Sequence, residues 1–327
     1  FRWVDCLLRI LQTCIAPDDV RAALKKLPKD LDSVYTRILE SIDEMQRVYI
    51  QRAMHWLTFS VEPLTLSQLA EAVRIEYDVD KYGEDSKPLF NMSSLMSICP
   101  SLISFEDARN GQSASQEDRR LRLAHFSVKE YLISERAAQG PGAYCHISED
   151  KANFLMGHAC LSRILWHNAP ATVQEGKVEE TSFLYHSSRY WFRYIGSIED
   201  TAPTQLSNAA LKVLELGKGW LDVYDPDCPY RDPLVLPGSR VYPPALYYSS
   251  LLNLVTTCKL LVSRTEDAVN VNAQGGEYGN ALQAAAIRGN ESVARVLLEH
   301  GAEVNAQGGA CGNALQAAAY GGNESVV

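Results

Sequence analysis

Gly279 to Ser292 reads GNALQAAAIRGNES, and Gly312 to Ser325 reads GNALQAAAYGGNES. Aligning 271–294 on 304–327 gives 19 identities in 24 positions at a spacing of 33 residues. A phrase that returns at a fixed period restricts the fold more than any single motif can. Each copy is one supersecondary unit, too small to bury its own apolar side, so copies must stack and share a core. Within a copy, Ala281, Leu282, Ala284, Ala285 and Ala286 predict a short helix of small residues that lets a neighbour approach closely. Gly289 and Asn290 end it. Ser292, Val293, Val296, Leu297 and Leu298 predict a second helix by their three-and-four spacing. Gly301 follows its last turn, where a left-handed cap is commonly glycine. Val304, Asn305, Ala306 and Gln307 then lead through Gly308 and Gly309 into the next turn.

Over 271–327 this unit closely resembles the ankyrin repeat family, and the expectation is an α-solenoid. The family's Thr-Pro-Leu-His start stands here as Gly279-Asn280-Ala281-Leu282-Gln283. The change removes the family's threonine–histidine hydrogen bond and puts Gln283 in its place. A weaker unit precedes. Ala245-Leu246 and Lys259-Leu260-Leu261 take the places of Ala281-Leu282 and Val296-Leu297-Leu298, and Asn270-Val271-Asn272 arrives four residues late. A degenerate first unit is expected where an array meets something other than another repeat. The last unit lacks its second helix, so further repeats are expected in the intact protein.

The two clean copies differ at Glu277 against Ala310, Tyr278 against Cys311, Ile287 against Tyr320, Arg288 against Gly321, and Ala294 against Val327. The first four pairs fall at the hairpin tip and the end of the inner helix, places that line the concave face of ankyrin-like folds. Two readings stay open. Either the framework is fixed and contact residues vary, or exposed positions drift because packing does not restrain them. Tyr278, Arg288 and Tyr320 are residue types favoured in binding hot spots, which the second reading does not require.

Ahead of the repeats, apolar residues at 31, 34, 35, 38, 39 and 42 mark a helical face entered through Pro28 and Asp30. Ile50, Ala53, Met54, Leu57 and Val61 mark a second. Thr65 with Gln68 forms a capping box before Leu66, Leu69, Ala70 and Val73. Ser93 to Cys99 is a short further helix, Leu102 to Phe105 a strand, and Leu121 to Ala124 its partner across a long polar loop. Ser127 is expected to cap a helix reaching Ile133. Helix, helix, helix, strand, long loop, strand is the order of a winged helix. Such domains commonly bind DNA through the third helix. That helix carries no Lys or Arg here, and the loop through Arg122 balances its acids and bases, whereas phosphate binding needs clustered cations. A winged helix that packs on protein is the favoured expectation, and a nucleic-acid-binding regulator the alternative.

FRWVDCLLRIL, LPKDLDSVYTRILESID, HWLTFSVEPLTLSQLAEAV and LRLAHFSVKEYLIS together resemble fungal STAND-type proteins, relatives of NOD-like receptors that carry a NACHT nucleoside-triphosphatase module. The winged helix is similar to the type named for GPI inositol-deacylase. The similarity runs over about residues 1–200 and is most specific around His125-Phe126-Ser127. It implies that residues 1–45 close a NACHT-associated module, 46–135 form the winged helix, 136–235 a helical connecting region and 236–327 the repeats. It also implies a cytoplasmic receptor-like protein of heterokaryon-incompatibility or innate-immunity type. Its repeats would bind a protein partner, and its winged helix would pack on an upstream NACHT module.

The rest of the sequence sets limits. A phosphate-binding loop ends in Gly-Lys-Ser/Thr, but Gly176-Lys177 is followed by Val178 and Gly217-Lys218 by Gly219. No nucleotide cofactor and no catalytic residue are expected in this chain. A net charge of −9 opposes nonspecific attraction to nucleic acid or anionic membranes. No stretch approaches the roughly 20 apolar residues of a membrane span. The eight cysteines are scattered without a CxxC pair and are expected as buried reduced thiols. Cys145, His146, His158 and Cys160 match no zinc spacing. The aromatics Phe183, Tyr185, Tyr190, Trp191, Phe192 and Tyr194 are expected to form a packing joint before the repeats.

Overall fold

The computed structural model describes residues 15–20, 30–77, 93–106, 118–168, 178–202, 204–217, 220–226, 242–264 and 269–324. The polar loops 78–92 and 107–117 therefore lie outside the described residues. So do Cys6, Cys14 and Cys228. The described residues group into two compact units. One holds the residues through Ile75 and those from Ser93 to Ala152; the other holds Glu76, Tyr77 and the residues from Asn153 onward.

The first unit opens with α1 (Leu31–Glu40), whose N-cap Asp30 accepts from the Ser33 amide at 2.7 Å. α2 (Glu44–Phe59) follows, then α3 (Leu66–Ala72). Thr65 and Gln68 close the expected capping box at its start, with bonds of 3.0 and 3.2 Å. After α4 (Ser93–Ile98), strands β1 (Ile103–Phe105) and β2 (Leu121–Leu123) pair antiparallel, Ser104 opposite Arg122. The Leu121 amide donates to the Leu64 carbonyl at 2.8 Å, and the Leu66 amide to Arg119 at 3.1 Å. The segment before α3 thus adds an edge to the ribbon, and the described elements have winged-helix order. Val61 does not join the core. α2 ends at Phe59, so the helical period stops short of it, and Val61 is 41% exposed.

α5 (Phe126–Leu132) corrects one detail. Its N-cap is His125, not Ser127. The His125 Nδ1 accepts from the Ser127 amide at 3.2 Å, while the Ser127 hydroxyl bonds the Tyr35 hydroxyl at 2.8 Å. His125 is thus a structural cap, and this pair fixes α5 on α1. Tyr35 also packs on Tyr131 at 5.6 Å between ring centroids. α6 (Glu135–Gln139) follows, then a single 3-10 turn at Ala143–Cys145.

The second unit takes most of α7 (Glu149–His167), then α8 (Phe183–Gly196), α9 (Thr204–Leu216) and α10 (Trp220–Val223). Three stacked units follow: α11 (Ala245–Leu251) with α12 (Val255–Val262), α13 (Ala281–Arg288) with α14 (Glu291–Glu299), and α15 (Ala314–Gly321). Leu211 of α9 shares a buried cluster with Leu246, Cys258, Leu261, Leu282 and Leu297. α9 therefore covers the side of the first unit that has no preceding repeat. Asn253, the one non-glycine with positive φ among the described residues (58°), stands where Gly289 caps α13 at φ 71°. That match places Leu261, not Leu260, opposite Leu297, a one-residue correction to the sequence alignment of the first unit. Among the described residues no helix is long and apolar enough to cross a membrane.

His55 of α2 is fully buried, and its Nδ1–H donates to the Gln51 carbonyl at 2.7 Å. A carbonyl can only accept, so the proton sits on Nδ1 and the buried Nε2 lone pair has no partner. Burial lowers its pKa from 6.5 to about 4 against the weaker opposing effect of the Gln51 bond. The unfolded state therefore takes up this proton first on acidification. The stability contributed by neutral His55 is complete above pH 6.5 and is lost as pH falls toward about 4. The loss is on the order of 2–3 kcal/mol. Urea unfolding of His55→Leu beside the parent chain across that window is expected to show a flatter pH dependence in the variant.

Candidate partner-binding surface

Short helices need their end groups satisfied, and each repeat meets that need with two amide side chains. Asn280, extended at φ −126°, accepts from the Gln283 amide at 2.9 Å, and the Gln283 Oε1 accepts from the Asn280 amide at 2.8 Å. The same side chain then reaches the next repeat. Gln283 Nε2 donates to the carbonyls of Gly312 at 2.8 Å, Gly308 at 3.1 Å and Ala306 at 3.4 Å. Asn280 and Gln283 are each 1% exposed. The glutamine thus does more than replace a lost hydrogen bond within one turn; it joins two units. At the other end of the inner helix, Asn323 Nδ2 donates to the carbonyls of Ala286 and Ile287 at 3.0 and 2.9 Å. Asn290 does the same for Ser250 at 2.7 Å. These are the carbonyls a helix leaves without an intrahelical partner. The asparagines after the glycine breaks are therefore cross-unit caps. Their identity in both copies was the available signal.

The eight varied positions lie outside this frame. Glu277 and Ala310 are exposed at neighbouring hairpin tips, joined by a bond of 2.8 Å from the Ala310 amide to the Glu277 carbonyl. Tyr278 and Cys311 are half-buried beside them. Arg288, Tyr320 and Gly321 are exposed at the inner-helix ends, Tyr320 at 83%. Ile287 is half-buried and shares with Cys311 the small cluster of Ala286, Ala317 and Ala318. Arg288 Nη2 lies 3.4 Å from the Pro226 carbonyl. Gly321 has a steric role of its own, since a Cβ there would collide with the Ile287 carbonyl.

The expected aromatic joint reaches further than α8. Trp191, Trp220, Tyr248 and Tyr247 meet edge-on in sequence, with centroids 5.5, 5.5 and 5.3 Å apart. The Tyr247 hydroxyl accepts from the Tyr278 amide at 3.2 Å, so the chain of rings ends at the first clean hairpin. Arg189 lies over Tyr224 at 5.2 Å and donates to the Tyr185 hydroxyl at 2.6 Å. Sequence reading missed Glu199. Its carboxylate, 6% exposed, accepts from the Thr257 hydroxyl at 2.6 Å and from the amides of Thr257 and Thr256 at 2.8 and 3.0 Å. Burial raises its pKa and these three bonds oppose the rise. It caps α12 from the turn after α8; nothing in SIED, a short polar stretch, marks it.

Two cations in the described part of the wing are engaged. Arg119 lies 4.3 Å above the Phe105 ring, and Arg120 pairs with Glu62. Among the described residues no group of three or more His, Cys, Asp or Glu could hold a metal ion. Cys99 and Cys145 are fully buried, and burial pushes both thiols up to about 12. Cys258 rises to about 11 for the same reason. These thiols are unionised and unreactive at neutral pH.

Comparison with known proteins agrees with both halves. Residues 39–141 match the GPI inositol-deacylase winged helix domain, and residues 282–327 match ankyrin repeats (many copies). The chain is 34% identical over 305 residues to azaphilone pigments biosynthesis cluster protein L of Monascus ruber. That alignment takes in 86% of this chain and 61% of the relative, so the chain spans less than two thirds of that protein. No solved structure matches. The fold is thus mainly helical, with a winged helix followed by ankyrin repeats.

Gln283→Met keeps the volume of the side chain but leaves the Asn280 amide and the Gly308 carbonyl without their partner, while the Gly312 carbonyl keeps the bond from the Gly308 amide at 2.8 Å. The loss is expected at about 2–4 kcal/mol, because buried polar groups left unmade cost about 1–3 kcal/mol each and part of that is relieved by relaxation. A thermal melt of the variant would show it as a lowered midpoint for the repeat-containing unit.

Proposed function

We propose that this chain is a non-enzymatic, protein-binding and signal-transmitting region of a cytoplasmic, receptor-like protein of the NACHT and ankyrin type. A nucleotide-binding module elsewhere in such a protein supplies the switch, the winged helix packs on that module, and the repeats hold the partner or keep the switch off. The observation that carries the reading is the division within the clean repeat that has a neighbour on both sides. The residues shared by both copies include Leu282 at 4% exposure and Asn280 and Gln283 at 1%, whereas Arg288, Glu277 and Tyr320 project outward. Constancy where packing is dense and change where contact is available suit a recognition surface built on a fixed frame. The chain's own sequence offers no phosphate-binding loop, and the Ser127 hydroxyl that meets His125 Nδ1 at 2.8 Å is tied to the Tyr35 hydroxyl in the α1–α5 contact, so chemistry is assigned to neither unit.

The alternative, a winged-helix regulator of nucleic acid, has less support. α4 has no Lys or Arg, Arg119 covers an aromatic ring and Arg120 sits in an ion pair. Binding of this kind needs several free cations on phosphates and weakens steeply with salt. The name of the Monascus ruber relative attaches that protein to a pigment biosynthesis cluster. A binding region without a catalytic constellation is compatible with an accessory role beside biosynthetic enzymes.

Affinity capture with the chain and with a triple variant, Tyr278→Ala, Arg288→Ala and Tyr320→Ala, tests the surface. The variant is expected to keep its helical circular dichroism and to lose a partner that the parent captures; capture unchanged would remove these positions from the surface. A gel-shift titration with duplex DNA at about physiological salt is expected to show no complex, and a salt-sensitive complex would favour the alternative.

A further inference from the structure

A cleft of about 360 Å3 runs between α12 and α14, the second helices of the first two repeats. Leu260, half-buried, and Val296, 6% exposed, give it an apolar floor. Lys259 stands on the α12 side, and Glu299 and His300 on the α14 side. None of the eight varied positions lines it.

The two walls differ in charge for a local reason. Lys259 holds the place that Arg295 holds in the next unit. Arg295 pairs with Glu291, one turn earlier, at 2.8 Å, whereas the residue one turn before Lys259 is Val255. At the far end of the helices the case is reversed. Arg264 of the first unit pairs with Glu215 of α9. Its counterpart His300 donates its Nδ1–H to the Val296 carbonyl at 2.8 Å and keeps Nε2 as an acceptor. Among the described residues neither Lys259 nor Glu299 has an ion-pair partner. One wall therefore offers a spare ammonium, and the other a spare carboxylate beside an imidazole acceptor.

These walls restrict what can sit between them. Both are helices whose backbone groups bond within them, so neither gives an edge for an added strand. An anion drawn to Lys259 meets Glu299 across the cleft, and a cation drawn to Glu299 meets Lys259; like charges so placed oppose binding. We propose that the cleft is a docking site for an amphipathic helix of a protein partner. That helix lays one aliphatic side chain on Leu260 and Val296, an acidic side chain against Lys259, and a basic one against Glu299 and His300. On a helix the residues three before and three after the anchor lie on its two flanks. The recognised pattern is thus acid, anchor and base at spacings of three, in either order, because the helix can lie either way along the cleft. The inference goes beyond the varied positions and does not rest on them.

The probes are labelled, alanine-rich helical peptides with a central leucine. The two positions three residues from the leucine carry Glu and Lys, two Lys, or two Glu. Binding to the full chain is read by fluorescence anisotropy at low salt, where exposed charges are least screened. The Glu–Lys peptide is expected to bind at least about three-fold more tightly than either like-charged peptide. Replacing its leucine by alanine is expected to weaken it about ten-fold. Lys259→Glu is expected to move the preference to the two-lysine peptide, and Glu299→Lys to the two-glutamate peptide. Both positions are exposed, so helical circular dichroism is expected to stay unchanged. No binding of the Glu–Lys peptide, equal affinity for all three, or a preference that ignores the two substitutions would overturn the proposal. So would a dimer of the parent chain that Lys259→Glu dissolves, since the occupant would then be a second copy. Partner capture by the triple variant reads the other surface and has no bearing on these results.

Discussion

One buried side chain sets the terms for the carboxyl-terminal half of this structure. Gln283 closes the cap of its own helix with its oxygen and ties the next hairpin with its nitrogen. Every polar atom of that amide is used, and the group is shut away from water at 1% exposure. Removing either half would strand partners in a low-dielectric interior, where unmade hydrogen bonds are costly. Small residues follow from this. Ala284, Ala285 and Ala286, all buried, allow the inner helices the close approach that the amide's short reach demands. The glycine pair at 308 and 309 meets the same demand from the other side.

The array does not begin at its first recognisable repeat. Glu199 holds the start of α12, Leu211 of α9 enters the repeat core, and the rings of Trp191, Trp220, Tyr248 and Tyr247 lead to the Tyr278 amide. Such edge-on aromatic contacts add about 0.5–1.5 kcal/mol each beyond the area they bury. A terminal repeat needs a cover that is not another repeat, and here the connecting helices provide it. The hairpin bearing Tyr278 is therefore positioned by residues that begin near 183, well before the periodic sequence.

Much of this was legible because the chain repeats itself. Period, helix breaks and the left-handed caps at Gly289 and Gly301 are local properties, and local chemistry decides them. The capping box at Thr65 and the strand pair around Ser104 and Arg122 were readable for the same reason. What escaped depended on partners distant in sequence. Glu199 is 57 residues from Thr256, and no spacing rule spans that gap. His125 displaced Ser127 as the cap because Tyr35, 92 residues earlier, engages the serine hydroxyl. The first repeat was misaligned by one residue because Asn253 stands in for a glycine, so the break carried no glycine to mark it. The varied positions were located by comparing the copies, but Gly321 answers to a neighbouring carbonyl as well as to any partner.

The account's central claim is that the connecting helices and the repeats form one cooperative frame on which the varied residues are displayed. Hydrogen exchange of the whole chain as a function of urea measures this directly. The claim predicts that amides of α8, α11 and α13 share one opening free energy and one denaturant dependence, with the exposed tips at Glu277 and Ala310 exchanging sooner. If α8 opened at a clearly lower urea concentration than α11 and α13, the frame would be two independent pieces and the claim would be wrong.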